Sequence, residues 1–161
     1  MDNPRYIPTA EEVKRLTAFL KIRSVPELDK LTIHYIEKVT GKSWNDEAVL
    51  EKIRNAVIAQ KESYWKEGVK KSVAYKGAYS VLGYMAYQMP GYVLEFSEFF
   101  ANMVTSGLVR KNVRILDIGA GPGTVSVGVA RVLSCLDGMT AEITALERFD
   151  THIEAYLAIV P

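Results

Sequence analysis

The chain has 161 residues, 48% of them hydrophobic and 24% charged, with a formal net charge of +1. That length and apolar content suffice for one sizeable core with at most a small satellite. Near-neutral charge excludes the global field of a nucleic-acid binder, and a single cysteine, Cys135, excludes an intramolecular disulfide and cysteine-based zinc or iron–sulfur sites within the chain.

The charge is uneven. Residues 1–76 carry fifteen Lys and Arg against eleven Asp and Glu, a local excess of +4, and the remainder is acidic. His34 and His152 lie far apart without metal-ligand spacing and read as surface or packing residues, so no metal site is expected. No run approaches the length of a transmembrane helix. The first residues, with Asp2, Pro4 and Arg5, have neither the basic–apolar pattern of a signal nor that of a transit peptide. The expectation is a cytoplasmic protein without a membrane segment.

The first hundred or so residues predict helices. Thr9-Ala10-Glu11-Glu12 is a capping box, followed by Val13, Leu16 and Leu20 at helical spacing. Ser24-Val25-Pro26-Glu27 repeats the logic, with Leu28, Leu31, Tyr35 and Val39 expected on one face and Gly41 as the stop. A third pattern from Asn45 uses Val49, Ile53 and Val57. Gly68, Gly77 and Gly83 then interrupt, predicting two helices up to Tyr87. Pro90-Gly91 is expected to break the chain before a helix over Val93 to Val104, ended by Gly107.

Beyond Val109 the pattern changes. The apolar run Val113-Arg114-Ile115-Leu116 predicts a strand, Asp117-Ile118-Gly119-Ala120-Gly121-Pro122-Gly123-Thr124 a glycine turn, and Val125 to Leu133 a helix. The turn Asp137-Gly138-Met139 leads to a second strand, Thr140 to Leu146, which ends at Glu147, and a further helix begins near Asp150. The division is a helical module at 1–109 and an α/β segment at 110–161, expected to pack together because no flexible linker separates them.

The glycine turn carries the chemistry. Its glycines allow a tight backbone turn and a close ligand approach, and the amides opening the next helix offer donors to polar ligand atoms. A dinucleotide fingerprint would place a third glycine where Thr124 stands. Asp117, two positions before the first glycine, would repel a pyrophosphate and suits a neutral or cationic ligand. An acid at the tip of the second strand, Glu147, can accept hydrogen bonds from both hydroxyls of a ribose.

This run resembles the first motif of the class I S-adenosylmethionine-dependent methyltransferases. The resemblance implies a Rossmann-like α/β core with S-adenosyl-L-methionine as cofactor. It assigns the amino-acid end and sulfonium side to Asp117 and the Gly119–Gly123 backbone (Gly119, Ala120, Gly121 and Gly123), the ribose to Glu147, and counts Thr124 among the cofactor-binding residues. It names no catalytic base. Such sheets have about seven strands, and two fit here, so the chain reads as an N-terminal fragment that alone would bind the cofactor poorly.

A second distinctive stretch runs Ala78-Tyr79-Ser80-Val81-Leu82-Gly83-Tyr84-Met85-Ala86-Tyr87-Gln88-Met89-Pro90-Gly91-Tyr92. Tyrosines at this spacing pack on a helix or form a stacking surface for unpaired bases. The order of tyrosine helix, Met-Pro pair and glycine turn resembles the ribosomal-small-subunit-associated methyltransferase-like family, over roughly Tyr75 to Glu147. Family members often carry Arg where this chain has Gln88, and the cysteine cluster of the mitochondrial members lies beyond the glycine turn. The resemblance implies small-subunit ribosomal RNA or the small ribosomal subunit as partner. The competing readings are a non-catalytic assembly factor that keeps the cofactor fold, and a protein or small-molecule methyltransferase with a helical lid. Lys61, Lys66, Lys70, Lys71 and Lys76, with Tyr64 and Trp65 between them, read as a solvated face or a phosphate-facing strip.

Overall fold

A computed structural model describes residues 3–65 and 77–160. It is a mixed α/β structure in which helices precede and flank a two-stranded parallel sheet. Lys66, Gly68, Lys70, Lys71, Tyr75 and Lys76 lie outside the described residues.

Helix α1 (Ala10–Leu20) begins at the predicted capping box. The Thr9 side chain accepts from the Glu12 amide, and the Glu12 carboxylate accepts from the Thr9 amide at 2.7 Å. Helix α2 (Pro26–Thr40) differs from expectation. Its N-cap is Val25, with no side-chain cap bond. Pro26 has no amide to satisfy and keeps Val25 out of helical backbone (φ −132°, ψ 67°), so the start moves past Ser24. Its buried face is Leu28, Thr32, Tyr35 and Ile36, leaving Leu31 and Val39 exposed. Gly41 ends the helix in the left-handed conformation, as predicted. Helix α3 (Glu47–Trp65) is capped by Asp46, which accepts from the Ala48 and Val49 amides, and it buries Val49 and Ile53.

The predicted break at Pro90-Gly91 does not occur. Helix α4 (Ala78–Gly83) runs through a π-helical turn at Tyr84–Gln88 into α5 (Met89–Thr105). The widened turn lets the Met89 amide reach the Tyr84 carbonyl and places Pro90 in the first turn of α5, where a missing amide costs little. Gly83 likewise interrupts nothing. A Cβ there would come within 3.3 Å of Ala56 Cβ and Val57 Cγ2, so glycine permits close packing on α3.

The α/β segment follows its pattern. Strand β1 (Asn112–Ile118), helix α6 (Thr124–Leu133), strand β2 (Thr140–Leu146) and helix α7 (Asp150–Ile159) succeed one another, and β1 pairs with β2 in parallel from Asn112↔Thr140 to Ile118↔Leu146. Both strands alternate in burial. Val113, Ile115, Ala141 and Ile143 pack against a core that includes Phe100, Val129 and Val132. The other face is exposed and carries Leu116, Ile118 and Leu146.

Both cores draw on both halves of the chain. One joins Leu28, Val49, Leu82, Met85 and Val93 to Ala155 and Ile159, and the other joins Tyr6, Leu16 and Phe100 to Val129 and Val132. Where α5 crosses α6, a Cβ at Gly128 would sit 2.8 Å from Phe96. The N-terminal residues also lie along the entry to β1, the Tyr6 amide donating to the Val109 carbonyl at 2.9 Å.

Candidate functional site: a cleft at the strand tips

Three alternate residues of the turn have left-handed backbone: Gly119 (φ 78°), Gly121 (φ 55°) and Gly123 (φ 99°). A side chain at any of them would be strained, which is why the sequence needs glycine there. Their surroundings differ. A Cβ at Gly119 would meet nothing within 4 Å, and one at Gly121 would make ordinary contact with His152 Nδ1 at 3.7 Å. At Gly123 it would come 2.6 Å from Val160 Cγ2 and 3.3 Å from Tyr156. The close approach at the third glycine is made by Tyr156 of α7 and by Val160 just beyond it.

The turn's own amides are mostly engaged. Gly119 and Ala120 donate to the Leu146 carbonyl at 2.8 and 3.1 Å, Gly121 to Glu147 Oε2 at 2.9 Å, and Gly123 to the Ala120 carbonyl at 3.1 Å. Pro122 has none. Of the donors expected for a ligand, what remains is the first turn of α6, whose opening amides have no intrahelical acceptor.

Glu147 stands at the tip of β2, beside the turn. Its Oε1 accepts from the Arg148 and Phe149 amides at 2.7 and 3.0 Å, and its Oε2 from Gly121. Burial raises this carboxyl, but the three amide donors and the nearby His152 outweigh it and hold it below the usual carboxylate range. A carboxylate has about four acceptor positions. Three are occupied by described residues, which leaves one on Oε2 among them.

Asp117 is the opposite case. Its Oδ2 is buried and has no hydrogen-bond partner among the described residues. Burial, and then the charge of Glu147, push its carboxyl above the usual range. A buried acceptor without a donor is costly, and a cationic or hydrogen-bond-donating ligand would relieve it.

These groups line a cleft of about 1000 Å³, together with Thr124 and with Tyr84, Tyr92, Glu95, Phe96 and Phe99 from the opposite wall, and Arg148, Phe149 and His152 from the end of β2 and α7. All seven residues expected at the site lie at this end of the sheet, and six of them line the cleft. Gly123 does not. Tyr84 bridges the two walls, its hydroxyl lying 3.0 Å from Thr124 Oγ1. Of the two readings for His152, surface or packing, the structure shows packing: it is buried in the first turn of α7, against the glycine turn.

Among the described residues, the other aromatic and basic candidates, Tyr79, Tyr87 and Lys61, are not part of this lining. Tyr87 is exposed, and Lys61 Nζ donates to its hydroxyl at 2.6 Å while lying over its ring. Gln88 is half-buried, and its side-chain carbonyl has no partner among the described residues. Among the described residues there is no group of three or more His, Cys, Asp or Glu able to hold a metal ion, and no helix long and apolar enough to cross a membrane. No family model, curated protein or solved structure matches this chain.

Proposed function

We propose that the cleft binds S-adenosyl-L-methionine and that the chain is the cofactor-holding part of a methyltransferase acting at the small ribosomal subunit. The observation that carries the cofactor reading is the acid pair. Asp117 offers a buried, unpartnered oxygen where an ammonium or sulfonium would be welcome, and Glu147 keeps one acceptor position for a ribose hydroxyl. The open space at Gly119 leaves a path to both. A dinucleotide fits worse, because its pyrophosphate would face two carboxylates and turn amides already engaged by β2.

When bound, the cofactor would supply an electrophilic methyl group to an acceptor's lone pair, with sulfur as the leaving group. The chain contributes position. Asp117 holds the cationic end, the α6 amides and Thr124 hold polar atoms nearby, and Phe149 presents a flat ring beside Glu147. Alignment of donor and acceptor on one axis supplies much of the rate in such displacements.

The acceptor implied by the sequence resemblance is small-subunit ribosomal RNA. The test is transfer of labelled methyl from S-adenosylmethionine to purified small subunits, with RNA and protein fractions counted separately. Label in either fraction, lost with Asp117→Asn, supports the reading. Cofactor binding without label in either fraction would favour an assembly factor that does not methylate.

A further inference from the structure

The cleft has two unlike walls. The strand tips and glycine turn provide Asp117 and Glu147, whereas α5 and the π turn before it provide Tyr84, Tyr92, Glu95 and Phe99. At about 1000 Å³ the cleft reaches the upper end of the roughly 300–1,000 Å³ range of single small-molecule sites, which leaves room beside a cofactor. Tyr92 and Phe99 are about half exposed, and Glu95 is exposed between them on the same helix.

Charge decides what could use that wall. Among the described residues, the cleft lining holds three carboxylates, on Glu95, Asp117 and Glu147, and one Lys or Arg, Arg148. The Arg148 guanidinium lies over the Phe149 ring, 4.5 Å from its centroid. A nucleic-acid strand would bring phosphates against this excess of negative charge, where ordinary RNA sites present Lys and Arg. A cationic nitrogen on a hydrocarbon stem suits it. The stem packs on the rings, the positive charge is attracted by their faces, and a carboxylate accepts its hydrogen bonds.

We propose that the α5 wall is the acceptor subsite and that it takes a lysine or arginine side chain of a basic polypeptide, with Glu95 holding the nitrogen and Tyr92 and Phe99 flanking its stem. This rests on the cofactor reading above and makes the methylated component a protein rather than RNA. A bound lysine nitrogen has no lone pair until it releases one proton to solvent, for which the exposed position of Glu95 leaves a route. After transfer the methylated nitrogen carries the positive charge that sulfur has lost.

The test begins without cofactor. Synthetic lysine-rich and arginine-rich peptides, an acidic control peptide and small-subunit RNA are titrated into the full chain by fluorescence anisotropy. A basic peptide should bind, and Glu95→Gln and Phe99→Ala should each weaken it about tenfold or more. Glu98→Gln removes the same charge from α5 outside the cleft lining and should leave affinity unchanged. Calorimetry with S-adenosylmethionine is run separately on the same proteins. Peptide binding that is sensitive to Glu95, with no cofactor binding, would uphold the cationic subsite and sink the methyltransferase reading. Cofactor binding would overturn the subsite and spare the cofactor reading if it came with no peptide binding, with equal losses for Glu95→Gln and Glu98→Gln, or with RNA taking the methyl group in place of the peptide.

Discussion

Glu12 and Asp117 are both shielded carboxylates, one at the start of α1 and one at the end of β1, and the chain treats them in opposite ways. Glu12 accepts from the Tyr6 hydroxyl, from the Asp137 amide at 2.7 Å and from the Thr9 amide at 2.7 Å. The Tyr6 hydrogen bond leads, and with the amides it overcomes burial to bring the carboxyl down to about 2. Tyr6 in turn is pushed up to about 12, by burial first and then by its bond to Glu12. Asp117 has an oxygen with no donor among the described residues and a raised carboxyl. The saturated acid ties α1 to the N-terminal segment and to the turn before β2. An unsaturated one costs stability, the kind of cost that proteins accept at functional sites.

The comparison breaks most visibly at Glu12. Glu12→Ala leaves the Tyr6 hydroxyl and two amides without their acceptor, and it should cost about 2–4 kcal/mol in urea unfolding. An undiminished midpoint would mean that the network does not hold α1 in place.

Next in size is the contrast between the outer glycines of the turn. Gly123→Ala combines left-handed strain with a clash against Val160 and should destabilise by about 2–3 kcal/mol. Gly119→Ala carries strain alone, about 1 kcal/mol, since nothing lies near its Cβ. Equal losses would remove α7 as the reason for the third glycine.

Asp117→Asn should move stability the other way, raising it by about 1 kcal/mol at neutral pH by removing an uncompensated charge, while abolishing cofactor binding. A fall in stability together with retained binding would place Asp117 in the framework with Glu12.

The two acids also give opposite pH dependence. The folded Glu12 carboxyl lies below its ordinary 4.5, so its contribution is complete above that pH and is lost as pH falls from 4.5 towards 2. The folded Asp117 carboxyl lies above its ordinary 3.8, so the folded protein holds the extra proton and stability falls as pH rises past 3.8. Stability profiles of Glu12→Gln and Asp117→Asn against the parent chain should therefore differ from it in opposite senses. Parallel curves would refute the contrast.

Much of this was legible in the sequence where a single residue dictates backbone. The strand, glycine turn and helix follow from alternation, from φ values that glycine favours and from helical spacing, and Glu147 is placed by the end of an apolar run. The Thr9 capping box is equally local. Long-range packing was not legible. That α7 crowds Gly123, that Tyr84 reaches Thr124 and that Glu95 and Phe99 face the strand tips depend on how α5 and α7 lie over the sheet, which no spacing encodes. The π turn escaped notice because Pro90-Gly91 reads locally as a break. One signal for His152 was available: it lies in the first turn of the helix that follows Glu147, hence at the same end of the sheet as the glycine turn.

The central claim, that the acid pair and glycine turn form an S-adenosylmethionine site, is tested most directly by calorimetric titration of that cofactor into the parent chain and into Glu147→Ala. The account predicts weak but saturable binding by the parent, further weakened by about 1.5–3 kcal/mol in the variant through loss of charge-assisted hydrogen bonds, with no heat from a dinucleotide. Unchanged affinity in a folded Glu147→Ala protein, or a dinucleotide bound in preference, would contradict it.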